Sequence, residues 1–192
     1  MTGRDLLRIV GLDPGETKVH LCIGQGGQPQ GFRFLELAAD PGDPIEQADD
    51  LACMVVEQLQ PLADEVGRSN VVLLVESPAF TRANRAHQLG GVHTTLLLAA
   101  QRAGFASGHA HLGKVKKLVT GSGNAGKPLV VSSLAARTGL TFRSHDAADA
   151  FAVWCYGMAV ADRQTPLGQL PRRHIEALEG QTLPALLERF RS

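Results

Sequence analysis

The 192-residue sequence predicts an α/β fold: one five-stranded mixed sheet, a three-strand meander plus two parallel strands, flanked by helices. Three observations predict it. Short β-branched and aromatic runs separated by Gly and Pro come three in succession near the start. NVVLLVE (70–76) is a continuous apolar run of strand length, the pattern of a strand covered on both faces. Segments of helical spacing stand before and after it, as they do when helices cover a sheet.

Taken in order, RIVGLD (8–13), VHLCIG (19–24) and GFRFLEL (31–37) are the strands of the meander. Ile45 to Val66 carries Ile45, Leu51, Ala52, Val55, Val56, Leu59 and Leu62 at helical spacing, with Pro61 expected to bend or end the helix. After the 70–76 strand, Arg85 to Ala103 is helical in pattern. Gly90-Gly91 weakens its beginning, and Leu96 to Leu98 read as core or as a dimer seam. Phe105 to His111 reads as a fifth strand. Lys114 to Thr120 and Leu129 to Thr138 read as short helices around GSGNAGK, Pro128 suiting a first helical turn. A last helix starts at Asp146, with Trp154 in its apolar run as core. Residues 1–163 form one domain, and 164–192 a C-terminal extension: a Pro/Gly/Gln-rich connection and a short amphipathic helix near Leu183 to Phe190.

With 44% hydrophobic residues the chain can bury a core. No stretch approaches the ~20 apolar residues of a membrane span, and Arg4, Asp5 and Arg8 interrupt the start, so a cytoplasmic protein is expected. Cys22, Cys53 and Cys155 are odd in number and set in apolar segments; they read as reduced core residues rather than disulfides or zinc ligands. The net charge of zero hides a segregation. Glu36 to Glu65 holds nine acids and no Lys or Arg, whereas the 69 positions from Ser77 to His145 hold nine Lys or Arg, five histidines and no acid. A surface built from that second block suits phosphate backbones.

Four acids stand where elements end: Asp13 after the first strand, Glu76 after the long buried one, Asp146 and Asp149 at a helix start. The i, i+3 pair shares one helix face, and Asp146 alone reads as a helix cap. Capping explains neither Asp13 nor Glu76. If all four converge, each pair ~5 Å apart repels by roughly 3 kcal/mol at an effective dielectric of about 20, so a cation must hold them together. All-oxygen ligands favour a hard ion, Mg²⁺ with Mn²⁺ as substitute. Two such ions about 4 Å apart would clamp a phosphodiester during in-line displacement.

GLDPG (11–15), VES (75–77), VKKLVTGSGNAGK (115–127) and DAADAFAV (146–153) occur in the order and spacing of one family. Over residues 8 to 160 the sequence resembles the RuvC-type Holliday junction resolvases of bacteria and their phages. The resemblance implies a ribonuclease-H-like homodimer that binds a four-way junction and nicks two opposed strands symmetrically, leaving ligatable ends. By position, Asp13, Glu76, Asp146 and Asp149 match the family's metal-binding acids, and Lys116 and Lys127 its two functional basic residues. His145 is a reserve metal ligand, because some relatives use a histidine in this cluster. Phe80 resembles the aromatic that stacks at the junction centre, although one extra residue separates it from Glu76. Arg82, Lys114 and Lys117 join these as DNA contacts. Which branch-migration motor, if any, delivers the substrate is left open.

Two other readings use the same residues: a nuclease of the same fold acting on flaps, forks and other branched DNA, and a non-catalytic junction-binding protein, against which the acidic quartet speaks. GSGNAGK fits most of a phosphate-binding loop, but Pro128 stands where Ser or Thr should bind Mg²⁺, and basic KVKKLVT replaces the preceding strand. His109 and His111 share a strand face without a third ligand and read as surface residues.

Overall fold

The computed structural model describes residues 6–24, 31–77 and 85–182, with side chains from residue 88 onward in the last segment. Five strands, β1 (Arg8–Pro14), β2 (Lys18–Gly24), β3 (Phe32–Ala38), β4 (Val71–Glu76) and β5 (Ala106–Ala110), form one sheet in the order β3-β2-β1-β4-β5. β1, β2 and β3 pair antiparallel as a meander, and β4 and β5 run parallel to β1. This is the mixed sheet expected from the sequence. β1 and β4 are two of its three inner strands, and both are buried nearly throughout, which is why their sequences do not alternate.

The helices are α1 (Pro44–Val66), α2 (Arg85–Arg102), α3 (Leu112–Thr120), α4 (Lys127–Thr138), α5 (His145–Val160) and α6 (Arg172–Ile175), with 3-10 turns at Arg68–Asn70 and Glu176–Leu178. α1 does not end at Pro61 but continues through it to Val66. Pro61 is exposed, so its missing N–H costs one backbone bond on the solvent side and leaves the buried stripe of Leu51, Val55, Leu59 and Leu62 intact.

The alternation of the strands sorts the interior into two halves. Val10, Leu12, Leu21, Ile23, Leu73 and Val75 pack beneath α1 and α2, whose buried leucines include Leu51, Leu59, Leu96 and Leu97. Leu98 of that triple leucine is exposed. Ile9, Cys22, Val72 and Leu74 point the other way, onto α3, α4 and α5, where Phe151, Trp154 and Tyr156 are fully buried. Cys53 departs from the expected core thiols: it lies exposed on α1, while Cys22 and Cys155 are buried.

α5 lies against β1 at backbone contact. A Cβ on Gly11 would meet the Trp154 backbone N at 2.3 Å, and one on Gly157 would meet Leu74 Cδ1 at 2.5 Å. Two glycines, one on each element, therefore set the distance at which the acids of α5 face the end of β1. Residues 164–178 pack onto the same body: Leu167 and Ala177 are buried with the α5 half of the core. The amphipathic segment expected near Leu183 to Phe190 lies outside the described residues. Among the described residues no helix is long and apolar enough to cross a membrane.

Candidate active site

In a parallel arrangement, the carboxyl ends of β1 and β4 emerge side by side. Asp13 and Glu76 occupy those ends, on the sheet face that α5 covers. Ser144 caps α5, its Oγ accepting from the Ala147 backbone N–H at 3.0 Å. Asp146 is therefore not the cap, as its position had suggested, but a first-turn residue, and Asp149 stands one turn further along, buried against the strand ends.

One carboxylate oxygen from each of Asp13, Glu76 and Asp149 lies within 4.8 Å of the other two. The cleft over them has a volume of about 240 Å³ and includes Lys116, Lys127 and Asp146 in its walls. The expected quartet is thus a triad with a fourth acid beside it. Lys127 accounts for the difference: its Nζ lies 3.0 Å from Asp146 Oδ1 and 3.1 Å from Asp149 Oδ2.

The electrostatics divide the acids in the same way. Burial, reinforced by Glu76 and Asp149, pushes the Asp13 carboxyl up to about 9. Burial and then Asp149 raise Glu76 to about 7, and the side chains of Glu76 and Asp13 share a hydrogen bond. Burial also raises Asp149, although Lys127 opposes it. At Asp146 burial would do the same, but the Lys127 bond outweighs it and the carboxyl is held below its usual range. Lys127 is in turn kept charged, because the carboxylates around it overcome its desolvation. Without another cation, the buried triad holds protons at neutral pH that ordinary carboxylates would have released. Three oxygen donors short of positive charge, in an open cleft, fit a hard divalent cation.

No protein-family model matches the chain. It is 29% identical to the crossover junction endodeoxyribonuclease RuvC of Frankia casuarinae over 152 residues, 77% of this chain and 86% of that protein. Thermus thermophilus RuvC superposes with a TM-score of 0.59 at 26% identity, covering 77% of this chain and 91% of that one. Its structure in complex with a Holliday junction substrate gives the same TM-score at 25% identity, covering 77% and 90%. In sequence and in fold this chain is similar to RuvC.

The RuvC-like scaffold places the remaining candidates unequally. Lys116 and Lys127 both line the cleft. Lys114 and Lys117, on the same helix as Lys116, turn away from it: Lys117 Nζ pairs with Glu176 at 2.9 Å, and Lys114 Nζ donates to the Glu179 carbonyl at 3.2 Å. His145 is exposed as the first residue of α5 and does not line the cleft. Phe80 and Arg82 lie outside the described residues. GSGNAGK follows helix α3 rather than a strand; Gly121 caps that helix in a left-handed conformation (φ 78°) and Lys127 opens α4, an arrangement unlike a nucleotide loop.

His109 is a correction of another kind. It is half-buried beneath α2, its ring stacked on buried His93 at 4.4 Å with Nδ1 2.9 Å from His93 Nε2, so it does not share solvent with exposed His111. Sequence reading also passed over His20 and Lys18, which line the cleft from β2. The signal was available in the strand pattern: His20 stands an even number of residues from buried Cys22, so it shares a face with Asp13 once the hairpin is in register.

Proposed function

We propose that this chain is a metal-dependent endodeoxyribonuclease that resolves four-way DNA junctions by paired symmetric nicks. The observation that carries the reading is the buried Asp13–Glu76–Asp149 triad, short of positive charge, at the strand ends of a RuvC-like fold, with Lys116 and Lys127 in the same cleft. Mg²⁺ or Mn²⁺, two ions per site, would activate water and stabilise charge on the phosphoryl group. The chain's own residues do the rest. The triad would hold the cations, and Asp146 would complete the set if Lys127 exchanged it for the phosphate. Lys116 and Lys127 neutralise the phosphate beside the cut. Water attacks phosphorus and the P–O3′ bond breaks, leaving a 5′-phosphate and a 3′-hydroxyl that a ligase can rejoin.

A four-way junction has two related strands to cut, which a homodimer with two facing sites serves economically. Phe80, Arg82, Lys114 and Lys117 remain proposed DNA contacts, the two lysines on condition that they exchange Glu176 and the Glu179 carbonyl for phosphate. The test is cleavage of a synthetic four-way junction beside flap and linear duplex controls, with Mg²⁺, Mn²⁺ or EDTA, using wild type and Asp149→Asn. Paired nicks confined to the junction, lost in EDTA and in the variant, support the reading. Cutting of every branched substrate would replace it with a general branched-DNA nuclease, and tight binding without cutting with a junction-binding scaffold.

A further inference from the structure

The cleft has a wall that the acids and lysines do not explain. Asp13, His20 and Glu36 form one row across β1, β2 and β3: Asp13 lies opposite His20 in the first pair, and His20 opposite Glu36 in the second. Cross-strand partners share a face, so all three point to the side that α5 covers. His20 is only 5% exposed, and it lines the cleft. Its Nε2 lies 2.9 Å from Glu36 Oε2, and Lys18 Nζ holds the other oxygen of Glu36 at 3.2 Å. Glu36 therefore fixes the ring from the sheet edge. Nδ1 is the remaining polar atom, and it has no protein partner among the described residues. It is not sealed in the core either, so it opens to the cleft.

A buried ring with one nitrogen clamped and the other open is built to meet something. The triad closes without it, so His20 is not needed as a ligand of the cation held there. Among the described residues, the other cationic side chains of the cleft are Lys116 and Lys127, from α3 and α4, and Lys18, which is tied to Glu36. The β2 wall thus has one free polar group to offer an anionic strand.

We infer that His20 is a strand-contacting residue, its Nδ1–H donating to a backbone phosphate next to the cut while Glu36 accepts from Nε2–H. This rests on the nuclease reading and deepens it. Both ring nitrogens then meet an acceptor, and the strand is gripped from the sheet side as well as from the lysine side. The contact aligns one phosphate among many, so it governs the rate of cutting rather than the affinity for the junction.

Two substitutions separate the ring nitrogens. Asparagine reproduces the position of Nδ1, and glutamine that of Nε2. Single-turnover junction cleavage and junction Kd are measured for wild type, His20→Asn and His20→Gln, with Asp149→Asn as the inactive control and thermal melting to confirm folding. Expected is a loss of roughly tenfold or more in rate for His20→Gln, a rate within about threefold of wild type for His20→Asn, and Kd within about twofold for both. The reverse order, with glutamine active and asparagine impaired, would show that His20 serves only its bond to Glu36 and overturns the inference. Equal losses, or none, overturn it as well. A folded wild type that cuts no junction in Mg²⁺ or Mn²⁺ removes the nuclease reading and this inference together, whereas an active wild type without the predicted split removes only the inference.

Discussion

The two ends of β1 treat buried charge in opposite ways. Arg8, near its start, is 5% exposed and places Nη2 at 2.6 Å from Glu65 Oε1. Asp13, near its end, is 9% exposed, yet the charges that act on it most are two more carboxylates, which Lys127 only partly offsets. Five residues apart on one strand, one charge is answered and the other compounded. A fold able to pair Arg8 could have paired Asp13, so the unpaired end is not a failure of packing. A buried cluster of like charge is a site held ready for a ligand of opposite sign.

The most damaging way to test that contrast is Asp13→Asn. A cation held by the triad, as proposed above, would supply several kcal/mol of transition-state stabilisation, so cleavage should fall by about a thousandfold or more. Junction affinity should stay near wild type, because the basic surface carries it and makes it fall with salt. Metal-free stability should rise rather than fall at alkaline pH, since a like charge has been removed. A variant that melts earlier than wild type at pH 9 without metal would contradict the account of the acidic end.

Next in size is the pH dependence of the metal-free protein. Asp13 and Glu76 have folded values raised to about 9 and about 7, above the range of an unfolded carboxylate. Between those limits the folded state binds more protons than the unfolded one, so stability falls as pH rises. In EDTA the melting temperature should drop from about pH 5 to pH 9, most steeply below about pH 7, where both groups hold protons that the unfolded chain has released, and more gently from there to the folded value of Asp13. Saturating Mn²⁺ or Mg²⁺ should flatten the curve, because the cation replaces the protons, and Asp13→Asn should flatten it without metal.

Gly11→Ala acts on the geometry between the two ends. The added methyl would meet the α5 backbone at 2.3 Å from the Trp154 nitrogen and 2.5 Å from the Ala150 carbonyl oxygen, and neither can move as a flexible side chain does. Overpacking of this kind costs about 1–3 kcal/mol, and displacement of α5 carries Asp149 away from Asp13. Denaturant melts should show the loss, and cleavage should fall further than stability alone explains.

The sheet and its acids were legible because they rest on local pattern: strand runs end at Asp13 and Glu76, and a three-residue spacing places Asp146 and Asp149 on one helix face. Their division into a triad and an outlier was not legible. It depends on where Lys127 projects, and Lys127 reaches the site from another helix after the loop. The cap was misplaced for a related reason: Ser144 and Asp146 are both capping residues, and only the backbone at Ser144 (φ −148°, ψ 164°) decides between them. His20 required the register of a hairpin, which no short window reveals. The partners of Lys114 and Lys117 lie about 60 residues away in the C-terminal extension, past the Pro/Gly/Gln-rich connection of residues 165–171 and before the expected amphipathic helix.

The smallest effect is expected from the answered end. Arg8→Met removes a buried guanidinium but retains an apolar side chain of similar length, and Glu65, more than half exposed at 59%, is left in water rather than stranded. Replacing a buried ion pair by packed apolar atoms is often neutral, so stability should change by no more than about 1 kcal/mol. The lost bond to the Leu6 carbonyl is long at 3.3 Å and adds little. Cleavage, junction affinity and the pH slope of melting should all match wild type. If Arg8→Met altered the pH slope, the two ends of β1 would be coupled through the strand, and the charge at Asp13 could no longer be read as a local property of the cleft. An unchanged slope, beside the flattened one of Asp13→Asn, assigns the stored electrostatic cost to the cleft alone, where a cation relieves it.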